Sequence, residues 1–232
     1  MTIQFSDMNI ATDSQSEHLQ GELQAQGSTS GGAYRAWGKR LLDIFLVIVA
    51  VPLTAPIIAI LACIIAMRGG KPFYTQLRIG LNGERYKIWK LRTMIHNADR
   101  ALEVYLSKNP AARLEWDATQ KLKNDPRITP FGRLLRKTSL DELPQLWNVL
   151  NGSMSLVGPR PMMVEQETEY PGRSYYNLRP GITGLWQISD RNECNFSDRA
   201  KFDDAYDRDL SLKTDISTLV ATVGVVLRGT GH

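Results

Sequence analysis

The strongest constraint on this chain is a block of 24 residues, Ile44 to Met67, without one charged side chain. As a straight helix it would rise about 36 Å, enough to cross a bilayer core of about 30 Å. Two features argue against a simple crossing. Pro52 and Pro56 stand in its middle, one helical turn apart, and each removes a backbone donor and crowds the preceding turn. Both flanks are also basic, with Lys39 and Arg40 before the block and Arg68 and Lys71 after it. A spanning helix usually carries its basic excess on the cytoplasmic side alone. A segment that enters, bends near Pro56 and leaves on the same side places both flanks in the cytoplasm. Each arm would be about 12 residues, roughly 18 Å, and would reach mid-bilayer. Carbonyls freed at the bend need internal partners, and Thr54 is a candidate donor. A single-pass anchor and a buried pair of core helices are the alternatives.

The remainder is that of a folded domain. The chain has 232 residues, 43% hydrophobic and 22% charged, which excludes a wholly disordered or fibrous chain. A mean hydropathy of −0.25 excludes a polytopic membrane protein. The net charge of +4 is too small to argue for a nucleic-acid partner. Two cysteines, Cys63 and Cys194, exclude a disulfide scaffold and lack zinc-site spacing. Residues 1–38 hold Asp7, Asp13, Glu17 and Glu22 against Arg35 and are rich in Ser, Gln and Gly. They read as a flexible tail and not as a secretory signal.

After the apolar block, residues 73–94 read as two extended pieces around Asn82-Gly83, a hairpin signal. The second piece alternates, with Tyr86 and Ile88 on one face and Arg85 and Lys87 on the other. Lys90 and Arg92 continue the basic set. Such density beside a membrane segment fits attraction to anionic lipid or a phosphate cradle equally. Residues 96–123 read as solvated helix interrupted at Pro110, with no chemistry assigned.

Chemistry-bearing residues concentrate at 124–161, where Asp125, Arg127, Arg133, Arg136, Lys137, Asp141, Glu142 and Arg160 are interleaved with apolar ones. Leu143, Leu146, Trp147 and Leu150 keep helical spacing, which predicts a helix beginning near Asp141 with Pro144 in its first turn. Asp141 and Glu142 then lie at a helix N-terminus. A capping box from Ser139 to Glu142 explains them without any catalysis. Adjacent acids on a helix diverge by about 100°, so they could instead serve two different centres. Proline flanks Arg160 on both sides, and Arg179 precedes Pro180, which holds each arginine for a ligand at low entropic cost. These two with the Arg78–Arg92 set suggest a ligand with several phosphates. The stretch 215–228 predicts a helix with Ile216, Leu219, Val220, Val223 and Leu227 on one face, packed inward or lying in a membrane interface.

Four motifs now resemble a known family: KRLLD before the apolar block, YKIWKLRTM at 86–94, DPRITPFGRLLRKTSLDELPQLWNVLNGSMSLVGPRP at 125–161, and RPGITGLWQISDRN at 179–192. Together they are similar to the bacterial sugar transferases, the monotopic polyprenyl-phosphate hexose-1-phosphate transferases, from about Lys39 to Leu227. The short exopolysaccharide-initiating galactosyl- or glucosyl-phosphate transferases look nearest. The resemblance implies transfer of hexose-1-phosphate from a UDP-hexose to undecaprenyl phosphate with release of UMP. It implies Asp141 as the nucleophile that forms a phosphosugar intermediate, Glu142 as the residue that positions or deprotonates the lipid phosphate, and Mg²⁺ beside Asp141. Lys90, Arg92, Thr93, Arg136, Arg160 and Arg179 are the phosphate-binding candidates. It also implies a re-entrant helix bent at proline, matching Pro52 and Pro56; the residue before that proline is often Ser in the family and is Ala55 here.

The expected architecture is α+β and mainly helical: a tail (1–38), a re-entrant membrane helix hairpin (39–71), and a cytosolic catalytic domain with a small β-hairpin (72–232). The expected site of action is the cytoplasmic face of a bacterial inner membrane, with membrane lipid as a partner, downstream glycosyltransferases as consumers of the product, and no nucleic acid. A non-catalytic membrane-anchored adaptor is the rival reading, since it needs the basic patch but not Asp141.

Overall fold

The computed structural model describes residues 32–119, 122–189 and 196–227. Most of the expected tail, Cys194, the 190–192 end of the last motif and Arg228 lie outside them. The described chain is helical from residue 32, inside the segment read as tail, and runs through a π turn at Tyr34–Gly38 into α1, Lys39–Met67. The apolar block is thus one helical element with Pro52 and Pro56 inside it. The Thr54 hydroxyl donates to the carbonyl of Ala50 at 2.9 Å, not to the carbonyls of Ile48 or Pro52 that the prolines leave without a partner. Such back-bonding to the fourth preceding residue often bends a helix.

The outer surface of α1 is apolar and bare: Leu41, Phe45, Ile48, Val49, Leu53, Ile60 and Met67 are exposed. A buried pair of core helices is therefore not what forms. Both ends nevertheless dock on the same domain. Near the start, Arg40 donates to the carbonyls of Val149 and Leu150. Asp43 Oδ1 accepts the amide of Leu156 at 3.0 Å. Val47 joins a core cluster with Ile88, Val149 and Met154. Near the end, Leu61 and Ile65 join a second cluster with Leu91 and Leu135, and the Arg68 guanidinium lies 5.0 Å from the Phe131 ring centroid.

The expected hairpin is present. Strands β1 (Phe73–Ile79) and β2 (Arg85–Leu91) pair antiparallel, Phe73 opposite Leu91 and Ile79 opposite Arg85. Asn82 and Gly83 turn the chain with φ of 57° and 78°, a conformation that Asn and Gly tolerate. Alternation puts Arg78, Tyr86, Gln76, Ile88, Tyr74 and Lys90 on one face. Helices α2 (Ala98–Lys108) and α3 (Pro110–Thr119) follow, divided at Pro110. Helix α4 (Pro130–Lys137) is capped by Thr129, whose hydroxyl accepts the Gly132 amide at 2.9 Å.

Here the structure departs from the sequence reading. The α-helix does not begin at Asp141. A 3₁₀ turn spans Leu140–Glu142, and α5 runs only over Gln145–Leu150, with Pro144 as its N-cap. Ser139 has φ of 56° and caps nothing through its side chain, so the Ser139–Glu142 capping box does not form. The left-handed residue reverses the chain after α4, and the short turn that results leaves the carboxylates to other partners.

Strand β4 (Met162–Met163) adds to β1, and β3 (Ser155–Val157) pairs in parallel with β5 (Gly181–Thr183). The short helix α6 (Leu185–Ile188) follows, then α7 (Arg199–Arg208) and α8 (Leu212–Leu227). Helix α8 does not pack its apolar face inward. Asp215 and Thr218 are each 1% exposed, whereas Ile216, Val220 and Val223 are 42%, 68% and 59% exposed; Leu219 joins the core. The cause is a polar anchor: Asp215 accepts Tyr34 Oη at 2.6 Å, Lys39 Nζ at 2.8 Å and Tyr206 Oη at 2.6 Å.

Candidate active site

The site grows from the end of β2. Beyond Leu91 the chain is stitched to α4: the Thr129 amide donates to the carbonyl of Thr93 at 3.0 Å, and Met94 bridges Ile128. Gly132 lies against the Thr93 backbone, so closely that a Cβ there would fall 2.0 Å from its carbonyl oxygen. One turn further along α4, Arg136 Nε donates to Thr93 Oγ1 at 2.9 Å. Leu135 and Leu140 pack with Leu91, Leu61 and Ile65. That cluster seats the turn bearing Asp141 on both β2 and the C-terminal half of α1.

Asp141 is 8% exposed. Burial pushes its carboxyl above the ordinary carboxylate range and neighbouring Glu142 adds to this, while Lys90 and Arg136 oppose it. Glu142 binds Lys90 Nζ at 2.7 Å. Lys90 and Arg136 thus neighbour both acids. Beneath Arg136, Asp125 and Arg127 form a buried fork with contacts of 2.7–3.1 Å, and the Arg127 guanidinium lies 5.1 Å from the Trp116 ring centroid.

Lys90 and Glu142 also line a small polar cleft with Arg78, Gln145, Arg160, Pro161 and Gln187. Of the residues singled out from sequence, Lys90, Thr93, Arg136, Asp141 and Glu142 meet around the turn, and Arg160 joins them across the cleft. Arg92 leans toward the foot of α1. Its Nη1 lies 3.3 Å from His96 Nδ1, whose ring reaches the carbonyl of Gly69. Arg179 is elsewhere: its Nε donates to the Gly152 carbonyl at 2.9 Å beyond the C-terminal end of α5, beside Arg40.

Sequence reasoning passed over Asn148. It is buried in α5, donates to the Lys87 carbonyl at 2.8 Å and accepts the Trp89 amide at 3.0 Å, completing the open edge of β2 as another strand would. Its position on the inner face of an amphipathic helix is a signal that a lone Asn rarely carries. Arg78, read from sequence only as one of a basic set, lines the cleft, and Arg199, unmarked in sequence, reaches the carbonyl of Arg160 beside it.

Among the described residues no three His, Cys, Asp or Glu side chains cluster as a metal cage. Asp141 alone, with oxygens from a bound diphosphate and water, suits Mg²⁺, which is commonly held by one or two carboxylates plus substrate phosphates.

A long apolar helix whose two ends are bound to one α+β domain, over a carboxylate pair in a basic cleft, defines the type of protein. The chain belongs to the bacterial sugar transferase family, whose sequence profile matches residues 34–229. It is 46% identical over 195 residues to a UDP-galactose-lipid carrier transferase of Erwinia amylovora, covering 83% of this chain and 41% of that protein. It is 44% identical over 195 residues to an undecaprenyl-phosphate galactose phosphotransferase of Salmonella typhimurium, with the same coverage. To the exopolysaccharide production protein ExoY of Sinorhizobium fredii it is 42% identical over 206 residues, covering 86% of this chain and 91% of that protein. The chain therefore spans about two fifths of the longer relatives and nearly all of the short one.

Proposed function

We propose that this protein transfers hexose-1-phosphate from a UDP-hexose to undecaprenyl phosphate, releasing UMP, as a membrane step that initiates exopolysaccharide synthesis. The observation that carries this reading is the buried Asp141 carboxylate, set between Lys90 and Arg136 on a turn seated against α1. The printed names of the Erwinia and Salmonella relatives, which pair a galactosyl donor with a lipid carrier, support it.

The chemistry follows from the charges. Donor and acceptor are both anionic, so direct displacement brings like charges together; a covalent intermediate divides the transfer into two displacements. An Asp141 oxygen attacks the β-phosphorus, the bond from that phosphorus to the bridging oxygen breaks, and UMP leaves with the electron pair. An oxygen of the lipid phosphate then attacks the same phosphorus, and Asp141 departs as a carboxylate. Lys90 and Arg136 offset charge at the reacting phosphorus, and Arg136 is aimed by Thr93. Glu142, held by Lys90, positions or deprotonates the acceptor phosphate. Mg²⁺ at Asp141 would neutralise diphosphate charge.

The anchor fits the lipid acceptor. Ile88 and Leu91, only three residues apart on β2, belong to the clusters that hold Val47 and Leu61 respectively. Three strand residues span about 10 Å, whereas fourteen residues of straight helix span about 21 Å. A bend at the prolines reconciles the two and supports re-entry from the cytoplasmic face. Arg92, at the foot of α1, then stands at headgroup depth, where the lipid phosphate lies.

The test is UMP release by the purified full-length protein in nanodiscs, supplied with UDP-galactose or UDP-glucose and undecaprenyl phosphate, with and without Mg²⁺. Release that needs the lipid and is abolished by Asp141→Asn is expected. A protein that binds lipid but releases no UMP from either donor would support the adaptor instead.

A further inference from the structure

Three arginines gather at the end of the cleft remote from the anchor, and the mechanism above uses none of them. Arg78 and Arg160 line the same cavity as Lys90 and Glu142. Arg78 Nη1 donates to the Pro161 carbonyl at 3.3 Å, and Arg199 Nη2 donates to the carbonyl of Arg160. The guanidinium groups of Arg160 and Arg199 lie 5.5 and 5.6 Å from the Trp186 ring centroid. Arg199 is 4% exposed. Among the described residues none of the three forms an ion pair with a carboxylate. Asp203, the acid nearest Arg199 in sequence on α7, accepts instead from Tyr170 Oη at 2.6 Å. The Nε atoms of Arg78 and Arg199 and the indole nitrogen of Trp186 are buried without a partner. Asp203 offsets part of the Arg199 charge, but three cations this close to one another, two of them largely out of water, are costly unless an anion completes them.

Their position selects the anion. Arg92 bonds through its amide to the Pro72 carbonyl, so that end of the sheet adjoins the anchor and faces an incoming lipid. Arg78 lies five residues along β1 from Phe73, roughly 17 Å further from the anchor. A water-soluble nucleotide sugar, its β-phosphate at Asp141, extends toward this far end. We infer that Arg78, Arg160 and Arg199 clamp the phosphate that remains with the nucleoside, the α-phosphate of the donor, and stabilise UMP as it leaves. This rests on the proposed transfer. Charge grows on the bridging oxygen and the departing UMP as the bond breaks, and preformed donors aimed there lower the barrier. Trp186 holds the Arg160 and Arg199 side chains by its ring face.

The experiment compares UMP with uridine as competitive inhibitors of the full-length protein in nanodiscs, for wild type and Arg78→Gln. A charge-assisted phosphate contact is worth about 10-fold or more in affinity. Wild type is expected to prefer UMP over uridine by at least that factor. Arg78→Gln is expected to lose most of this preference, to raise KM for the UDP-sugar, and to leave KM for undecaprenyl phosphate unchanged. Unchanged UMP affinity overturns the inference, and so does a rise confined to the KM of the lipid, which would assign the clamp to the acceptor phosphate. Should Arg78→Gln fold poorly, Arg160→Gln supplies the same readout, since among the described residues its guanidinium makes a ring contact and no hydrogen bond or ion pair. Exchange of labelled UMP into the UDP-sugar without acceptor separates the two levels. Its absence in wild type counts against the covalent route, whereas the UMP–uridine comparison reads the clamp by itself.

Discussion

Thr93 and Arg136 are 43 residues apart in sequence and joined by a 2.9 Å hydrogen bond from Arg136 Nε to Thr93 Oγ1. The bond ties the last residues of the hairpin to α4 and aims a half-buried guanidinium at the turn that carries Asp141. Thr93→Val keeps the shape and removes the acceptor. It is expected to cost about 1 kcal/mol of stability and to lower kcat about 10-fold or more, with KM for the donor moved far less, because the misaimed charge acts mainly on the transition state. Gly132→Ala tests the same seam by sterics: its Cβ would collide with the Thr93 carbonyl, so both Tm and activity fall. A Thr93→Val enzyme with wild-type kcat would remove Arg136 from the machinery.

The acid side of the pH profile follows from Asp141. In the proposed transfer Asp141 attacks as the carboxylate, and burial raises its pKa above 3.8. Activity is therefore expected to decline, as pH falls, at a higher pH than for an ordinary aspartate. Since Lys90 and Arg136 hold the carboxyl down, removing either cation moves this acid limb to still higher pH. The check is the single-turnover rate of UMP formation against pH for wild type and Arg136→Gln. The stability sign runs the other way. A raised folded-state pKa makes ionised Asp141 a burden on the fold at neutral pH, so Asp141→Asn should raise Tm there. Each kcal/mol relieved is worth about 2–4 °C in a chain of this size.

Lys90 and Glu142 separate function from stability. Their 2.7 Å pair is partly open to solvent, and such pairs contribute about 0–1 kcal/mol. Lys90→Met is thus expected to leave Tm within a few degrees of wild type while kcat falls about 100-fold, the scale of losing one charge-stabilising donor. Thermal melts and turnover on the same preparation check this. A large loss of Tm with undiminished turnover would make the pair structural.

Much of the architecture was legible because it depends on local rules. Asn82-Gly83 dictates its own turn, alternation fixes the faces of β2, Pro110 divides two helices, and an apolar block without charges has to be one exposed or buried unit. The candidate site could be written from sequence as a list of expected residues and not as an arrangement. Asp141 and Glu142 could be picked out, but the left-handed Ser139 that shortens their helix to a 3₁₀ turn carries no sequence signature. Rigid prolines marked Arg160 and Arg179 alike, yet β1 and α6 bring only Arg160 to the cleft, while Arg179 closes the loop beyond α5. For helix α8 the sequence left inward packing and an interfacial position both open, and the structure sets the first aside. Its apolar spacing is real, but Asp215 bonds Tyr34 and Lys39 from a distant segment and Tyr206 from the preceding helix, which turns the helix over.

The anchor is tested by accessibility. With Cys63 and Cys194 replaced by Ser, single cysteines at positions 39 and 71 are to be probed with a membrane-impermeant maleimide in inverted and right-side-out vesicles. Re-entry predicts labelling of both from the cytoplasmic face alone. Labelling from opposite faces would make α1 a single-pass span and would leave the shared docking of its two ends unexplained.

The most direct measurement is intact-protein mass spectrometry after brief exposure to a UDP-hexose without lipid acceptor. A mass increase equal to one hexose phosphate, mapped to Asp141, lost on addition of undecaprenyl phosphate and absent in Asp141→Asn, is the expected result. No adduct with any donor, together with undiminished turnover by Asp141→Asn, would contradict the account.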